Sequence, residues 1–385
     1  MRVAVLFGGK STEHDVSIAS AYAVMRWIER IPEYEAIPVY VTRAGKFVHH
    51  PAFKDIRTYQ DVRKILEESD AVKLMAECSG SSTLRFVEER VGLLTKRRTI
   101  EADVAFPVFH GLGGEDGSMQ GFLEMLGVPY VGPGILASAV GINKIIMKDV
   151  FASLGLPIVK HRICRFGETV DDEALIAEIG FPMFVKPARL GSTIGVSMVR
   201  NRDELEPAFE IAFHYDRDVV VEAGVPNVME LNCSVTEIAG EIVTSAIENP
   251  VSKGGYLTFD EKYMATDGAT MTGDSKTVNI PAPIPESIAE DVRRYSRIIF
   301  DRFFAGGGAP RIDYLYDQEA GNLYVNEINT IPGTLQIHLW KASGVPETEF
   351  LRGLIDTAFR DHERRERNID FTSGLLENTI RFAKK

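Results

Sequence analysis

The chain has 385 residues, 45% of them hydrophobic and 25% charged, with 43 basic against 55 acidic side chains and a formal net charge of −12. A length of this order makes two or three domains, and near-average composition excludes disordered, collagen-like and coiled-coil chains. The acidic balance argues against general nucleic-acid or membrane-surface binding.

Cys78, Cys164 and Cys233 are scattered and form no CxxC pair. Neither a disulfide scaffold nor a thiolate zinc site is expected, and a reducing compartment fits. The opening MRVAVLFGG is too short for a signal-peptide core. No apolar stretch approaches the ~20 residues that span a bilayer. A cytoplasmic protein is the expectation.

Val3–Phe7 reads as a buried strand feeding the Gly8–Gly9 turn, and Ser17–Arg30 has helical spacing. Ala36–Val41 and Val104–Val108 are further short apolar runs, so a parallel sheet covered by helices is predicted here. Gly45–Thr99 is polar and irregular and carries no assignable pattern. Gly111–Gly117 is a glycine- and acid-rich loop ahead of a helical segment, and Ile142–Leu154 reads as a helix ending at Gly155. A second α/β unit follows, with strands at Phe184–Lys186, Val196–Val199 and Val219–Glu222. From Glu230 onward, alternating apolar and polar runs predict a mostly antiparallel sheet with helices packed on it. Ser252–Lys276, rich in Gly, Thr and Asp, reads as a long functional loop. The tail from Arg360 reads as a charged amphipathic helix and a second helix.

Two glycine motifs fail on inspection. Lys10–Ser11 mimics the end of a phosphate-binding GxxxxGK[ST] loop, but the first glycine would fall at Ala4. The loop at 111–117 misses GxGxxG by one residue. A stronger constellation lies C-terminal. Glu327 and Asn329, two apart on a strand, share a face. Were the Asp313 strand to pair beside them, three hard oxygen ligands would converge near Arg311, a set suited to magnesium and substrate phosphates. On spacing alone, a solvated sheet face explains these charges equally well. Lys186 ends the apolar FVKP strand, where a lysine is costly unless it meets an anion. The following RLGSTIG loop offers backbone N–H groups to phosphate. Lys144 and Lys262 are candidates for the same phosphates, although any lysine alone reads more simply as a snorkelling surface residue.

Taken in order, these segments resemble the D-alanine–D-alanine ligase family of ATP-grasp enzymes from Met1 to about Val345. The segments are VAVLFGGKSTEHDVS, the HGLGGEDGSMQGFLE run at 110–124 followed by GVPYVGP, VKPARLGSTIGV, EKY at 261–263, RID and NEINTIPG. The resemblance implies an α/β chain with an α+β C-terminal part, in a three-domain ATP-grasp architecture whose N-terminal domain holds a parallel sheet. Its domains would be 1–138 for substrate, 139–225 and 226–360 for the two ATP-grasp parts, and 361–385 as a helical extension without a family counterpart. It also implies ATP, two Mg2+ ions with Mn2+ as an alternative, amino-acid substrates and a homodimer formed through the N-terminal domain.

By the same resemblance, a first D-amino acid is activated as an acyl phosphate and a second attacks it, giving D-alanyl-D-alanine for peptidoglycan precursor synthesis. Glu13 would hold the donor ammonium, supported by His110 and Glu115. Lys144, Lys186 and Lys262 would contact the ATP phosphates, Glu222 and Glu230 the adenine and ribose, and Asp313, Glu327 and Asn329 magnesium. Arg311 and the Gly333 backbone would stabilise the oxyanion. Ser192 and Tyr263 would join Glu13 in a lid that keeps water from the acyl phosphate. Locally, Glu13 also reads as a helix-capping acid, His110 as a satisfied core histidine and Tyr263 as a packing residue.

The chain departs from the family pattern at three places. After NTIPG, family members run through a serine-containing stretch to ProLys and LWEASG; here TLQIHLWKASG at 334–344 is about four residues shorter and lacks the serine. That stretch receives the acceptor carboxylate, so Gln336, His338 or Lys341 would take over its contacts. Asn143 stands where the family has Asp, and the hinge EAGVPNVME has an extra residue. Three alternatives follow: a ligase with another amino acid or a hydroxy acid as acceptor, a non-catalytic nucleotide-binding homologue, and a biotin-carboxylase-like enzyme. Tyr263 favours an amine acceptor. The metal set and lysines speak against a non-catalytic homologue, and the HGxxGEDG segment against a biotin-carboxylase-like enzyme.

Overall fold

The computed structural model describes residues 1–67, 72–77, 82–88, 98–251, 278–304, 307–365 and 373–383. The N-terminal sheet has seven strands in the order β6-β5-β4-β3-β2-β1-β7. These are β1 (Arg2–Gly8), β2 (Glu35–Val41), β3 (Phe47–His49), β4 (Val72–Glu77), β5 (Leu84–Glu88), β6 (Thr99–Ala102) and β7 (Val104–Pro107). Only β2, β1 and β7 run parallel; β3 to β6 extend the sheet antiparallel. The expected parallel sheet is therefore mixed. Its antiparallel half comes from the segment without an assignable pattern, where short strands with one wet face leave a weak period-two signal. Helix α1 (His14–Ile28) covers the parallel half and buries Ile18, Ala21, Val24 and Met25 against it.

The second sheet has four antiparallel strands in the order β10-β9-β11-β8: β8 (His161–Arg165), β9 (Met183–Pro187), β10 (Ser197–Val199) and β11 (Asp218–Ala223). It is preceded along the chain by α2 (Val62–Glu67), α3 (Ser118–Met125), α4 (Ile135–Ile142) and α5 (Lys144–Ser153). Asn143 is the N-cap of α5, its side chain accepting from the Ile145 N–H at 3.1 Å. Asn and Asp cap about equally well, so replacement of the family's Asp keeps the helix start.

The third sheet is antiparallel throughout, β14-β13-β12-β15-β16, with β12 (Val228–Ile238), β13 (Glu241–Pro250), β14 (Val278–Asn279), β15 (Arg311–Asp317) and β16 (Asn322–Asn329). The helix Glu286–Phe303 packs on it through Ile288, Val292, Ile299 and Phe300, spaced as one helical face. The segment at 252–277, which contains the whole of the expected long loop, lies outside the described residues.

The helix Glu347–Arg365 returns to the N-terminal sheet. Phe350, Leu351, Leu354 and Ile355 share one core with α1 and β1, joined by Trp340, whose ring stacks on Phe350 at 5.1 Å. This shared core fixes residues 331–340 against the N-terminal part, which positions the site.

Candidate active site

The loop from Phe109 to Gly117 and the start of α1 meet at Glu13, which is 5% exposed. Glu13 stands at the N-cap position of α1, yet its side chain makes no capping hydrogen bond. It receives one instead from Ser192 Oγ, on the glycine loop between β9 and β10. Gly111, at φ +74°, allows this approach: a Cβ there would lie 2.6 Å from Ser11 Oγ and 2.7 Å from Glu13 Oε2.

Glu115 ties the same loop to residues 330–331. One carboxylate oxygen accepts the Gly111 N–H at 2.7 Å; the other accepts the Ile331 N–H at 2.9 Å and the Thr330 hydroxyl at 3.2 Å. Burial, and secondly the charge of Glu13, push its pKa up to about 8. His110 is buried beside it, 2.9 Å from Ser20 Oγ, and burial lowers its pKa to about 4. Ser20 Oγ in turn accepts the Thr334 N–H at 3.0 Å. His110 is thus a satisfied buried histidine that also links the 109–117 loop to the turn after Gly333.

The phosphate candidates converge from two elements. Lys144, at the start of α5, donates to the Leu190 carbonyl at 2.7 Å and lies 3.8 Å from Glu327. Lys186, on β9, meets Glu222 Oε2 at 2.6 Å. Lys148, one turn after Lys144, places Nζ 2.8 Å from Glu222 Oε1. Burial opposes ionisation of Glu222, but the two lysines override it and hold the carboxyl well below its ordinary value. Burial depresses the Lys144 pKa; at Lys186 burial is outweighed by Glu222 and Glu327, and the pKa rises.

On the third sheet, Glu248, Asn232, Asp313 and Glu327 stand in one row across four strands. A bulge at Asn326, where the register between β15 and β16 shifts, follows the Asp313–Glu327 pair. Arg311 grips Asp313 with two hydrogen bonds of 2.5 and 2.7 Å, and Asn329 Nδ2 donates to Asp313 Oδ2 at 2.9 Å. Asp313, Glu327 and Asn329 are therefore gathered as their spacing suggested. Among the described residues no group of three or more His, Cys, Asp or Glu side chains assembles a metal site. Two carboxylates and an amide oxygen fit a magnesium ion that takes its remaining ligands from phosphates and water.

After β16, Gly333 precedes three consecutive left-handed residues, Thr334, Leu335 and Gln336, at φ +47°, +53° and +49°. Such conformations cost of order 1 kcal/mol or more per non-glycine residue and gather at functional turns. Gln336 is buried; its amide donates weakly to the Gly333 carbonyl at 3.3 Å, and Oε1 has no partner. His338 Nε2 lies 2.7 Å from Glu248 Oε2, whose other oxygen accepts from Asn232 at 2.9 Å. Burial would raise the Glu248 pKa, but His338, Asn232 and the nearby Arg311 hold it down. Lys341 points elsewhere, half exposed and 3.8 Å from Glu347.

Glu230 lies on β12 beyond Asn232, within electrostatic reach of Lys186. Lys262 and Tyr263 lie outside the described residues. Sequence reasoning missed Lys148, Ser20, Asn232 and Glu248. For Lys148 a signal existed: it falls between Met147 and Phe151 on the buried face of α5.

Models of the D-ala D-ala ligase N-terminus and C-terminus match residues 2–133 and 150–356. The D-alanine–D-alanine ligase of Geobacillus thermodenitrificans is 35% identical, covering 95% of this chain and 97% of its own. That of Heliobacterium modesticaldum is also 35% identical, at 95% and 96%. Among solved structures, the D-alanine-D-alanine ligase from Coxiella burnetii superposes with a TM-score of 0.76 at 25% identity, over 95% of this chain and 97% of that one. The VanG D-Ala:D-Ser ligase from Enterococcus faecalis gives 0.74 at 28% identity, over 93% and 99%. The α/β ATP-grasp fold implied by the sequence motifs is borne out by these likenesses. The chain belongs to the D-alanine–D-alanine ligase family.

Proposed function

We propose that this protein is an ATP-dependent carboxylate–amine ligase that forms D-alanyl-D-alanine for peptidoglycan precursor synthesis. Bound ATP with magnesium supplies activation of the donor carboxylate as an acyl phosphate, from which the acceptor amine displaces phosphate. Asp313, Glu327 and Asn329 would hold the metal. The observation that carries the reading is Lys144, which bridges the glycine loop at Leu190 and the Glu327 carboxylate, between the expected phosphate cradle and the expected metal set.

Each remaining role follows from charge. Glu13, buried at the start of α1, holds the donor ammonium, and Glu115 fixes the loop beneath it. Lys144 and Lys186 face the phosphates, with Lys262 in support, while Glu222 and Glu230 border the nucleoside. Arg311 and the Gly333 N–H stabilise negative charge on the tetrahedral centre. Ser192 closes the glycine loop onto Glu13, with Tyr263 as its counterpart on the long loop, and so excludes water. Two metal ions, Mn2+ as a substitute, a homodimer, a cytoplasmic setting and the domain limits at 138, 225 and 360 rest on the family resemblance. Among the described residues no helix is long and apolar enough to cross a membrane.

A second reading changes the acceptor. The shortened turn with Gln336 and the His338–Glu248 pair favours it, because those side chains stand where the family pattern places other ones. An assay of ATP-dependent phosphate release across D- and L-amino acids and hydroxy acids tests both. Turnover with D-alanine as donor and acceptor is expected. Turnover with D-alanine only beside another acceptor selects the second reading, and none with any D-amino acid overturns both.

A further inference from the structure

We propose that Lys148 is a positioning residue for nucleotide: it neutralises half of Glu222 and so keeps Lys186 positive toward the phosphates. This rests on the ATP reading above. Among the described residues Lys144 faces Glu327, Lys186 faces Glu222 and Arg311 faces Asp313. Lys148 is added to a carboxylate that already has a lysine. A carboxylate–lysine pair in a poorly solvated site cancels its own field, so Lys186 alone with Glu222 would offer a phosphate a hydrogen bond but little net charge. With Lys148 on the second oxygen, the three groups together carry one positive charge.

The burial of the two lysines divides their labour. Lys186 keeps 14% of its side-chain surface exposed, whereas Lys148 keeps 1%. Lys148 has no route to a ligand, and its Nζ has no well-directed hydrogen bond besides the ion pair. Its influence passes through Glu222. Two ammonium groups on one buried carboxylate repel each other, a cost that a plain structural pair avoids and an anionic ligand offsets.

The test is calorimetric titration of wild type, Lys148→Met, Lys148→Arg, Glu222→Gln and the double variant Lys148→Met/Glu222→Gln with magnesium and ATP, beside their thermal unfolding. Lys148→Met is expected to bind ATP about tenfold more weakly, and Lys148→Arg within about threefold of wild type. Because Glu222 also borders the nucleoside, the double variant is read against Glu222→Gln alone, where removing Lys148 should cost less than about twofold. A loss below about twofold in Lys148→Met, or an equal loss from removing Lys148 in the Glu222→Gln background, overturns the proposal. Should Lys148→Met not fold, the double variant decides: affinity within about twofold of Glu222→Gln supports the proposal and a tenfold loss relative to it overturns it. Wild type failing to bind ATP would instead sink the nucleotide reading itself.

Discussion

Ser192 Oγ donates a hydrogen bond to Glu13 Oε1 across 179 residues of sequence, so the glycine loop of the second sheet closes onto the first turn of α1. Ser192 and Thr193 hold left-handed conformations at φ +56° and +61°. The contact joins the element expected to cradle phosphate to the carboxylate expected to hold the donor. In the proposed reaction, a loop tethered in this way would separate a reactive acyl phosphate from bulk water.

The tether makes a prediction about coupling. Ser192→Ala should lower dipeptide formation roughly tenfold or more and raise the ratio of phosphate released to dipeptide made. Measuring both products in one reaction checks it. A parallel fall in both, with the ratio unchanged, would show that the contact only orders the loop.

Glu115 and His110 set a pH dependence of stability with opposite signs. The Glu115 pKa is raised to about 8 from 4.5, so the native state holds its proton more tightly; its stabilisation is complete below pH 4.5 and is lost as pH rises through 8. The His110 pKa is lowered to about 4 from 6.5, so its contribution is complete above pH 6.5 and is lost on acidification through 4. Between pH 6.5 and 8 the Glu115 slope therefore stands without opposition from His110. Glu115→Gln, which mimics the protonated form, should flatten the decline over that interval, which is at most about 1.4 kcal/mol per pH unit. Urea unfolding at the two ends of the interval measures it, and equal slopes in both proteins would refute the assignment.

Asp313→Asn and Glu327→Gln should each reduce ligase turnover by about a thousandfold or more while leaving the thermal transition in place. Asp313→Asn also releases Arg311 from its bidentate partner, and Glu327→Gln removes the charge facing Lys144. Phosphate release and circular dichroism report the two quantities. Near-normal turnover in either variant would remove that residue from the metal set.

His338→Leu leaves Glu248 without its imidazole partner beside the acceptor turn. The KM for the acceptor should rise about tenfold, with the KM for ATP and for the donor unchanged. A uniform rise in all three would place the His338–Glu248 pair in the fold rather than in acceptor recognition.

Much of the fold was readable because hydrophobic periodicity survives in buried strands and helices. Val3–Phe7, Ala36–Val41 and Val219–Glu222 became β1, β2 and β11 to within a few residues. The predicted helix across Ile142–Leu154 begins at Lys144, because Asn143 caps it. Strands β3 to β6 escaped notice, since short half-exposed strands such as β4, with alternating wet positions, resemble loop sequence.

What the sequence alone determined is an inventory of ordered motifs that resemble one ligase family, with three lysines as candidates for phosphate and three oxygen-bearing side chains as candidates for a metal. The tertiary structure decided how the described members of that inventory pair. Glu222 is shared by two lysines, His338 is held by Glu248, and Glu115 spans from Gly111 to Ile331. Such pairings are set by burial and by register between strands distant in sequence. The strength of a charge depends on the water removed from around it, and only the folded chain removes that water. The net charge of −12 therefore describes the surface as a whole, while a locally positive cluster of Lys144, Lys148 and Lys186 forms inside it.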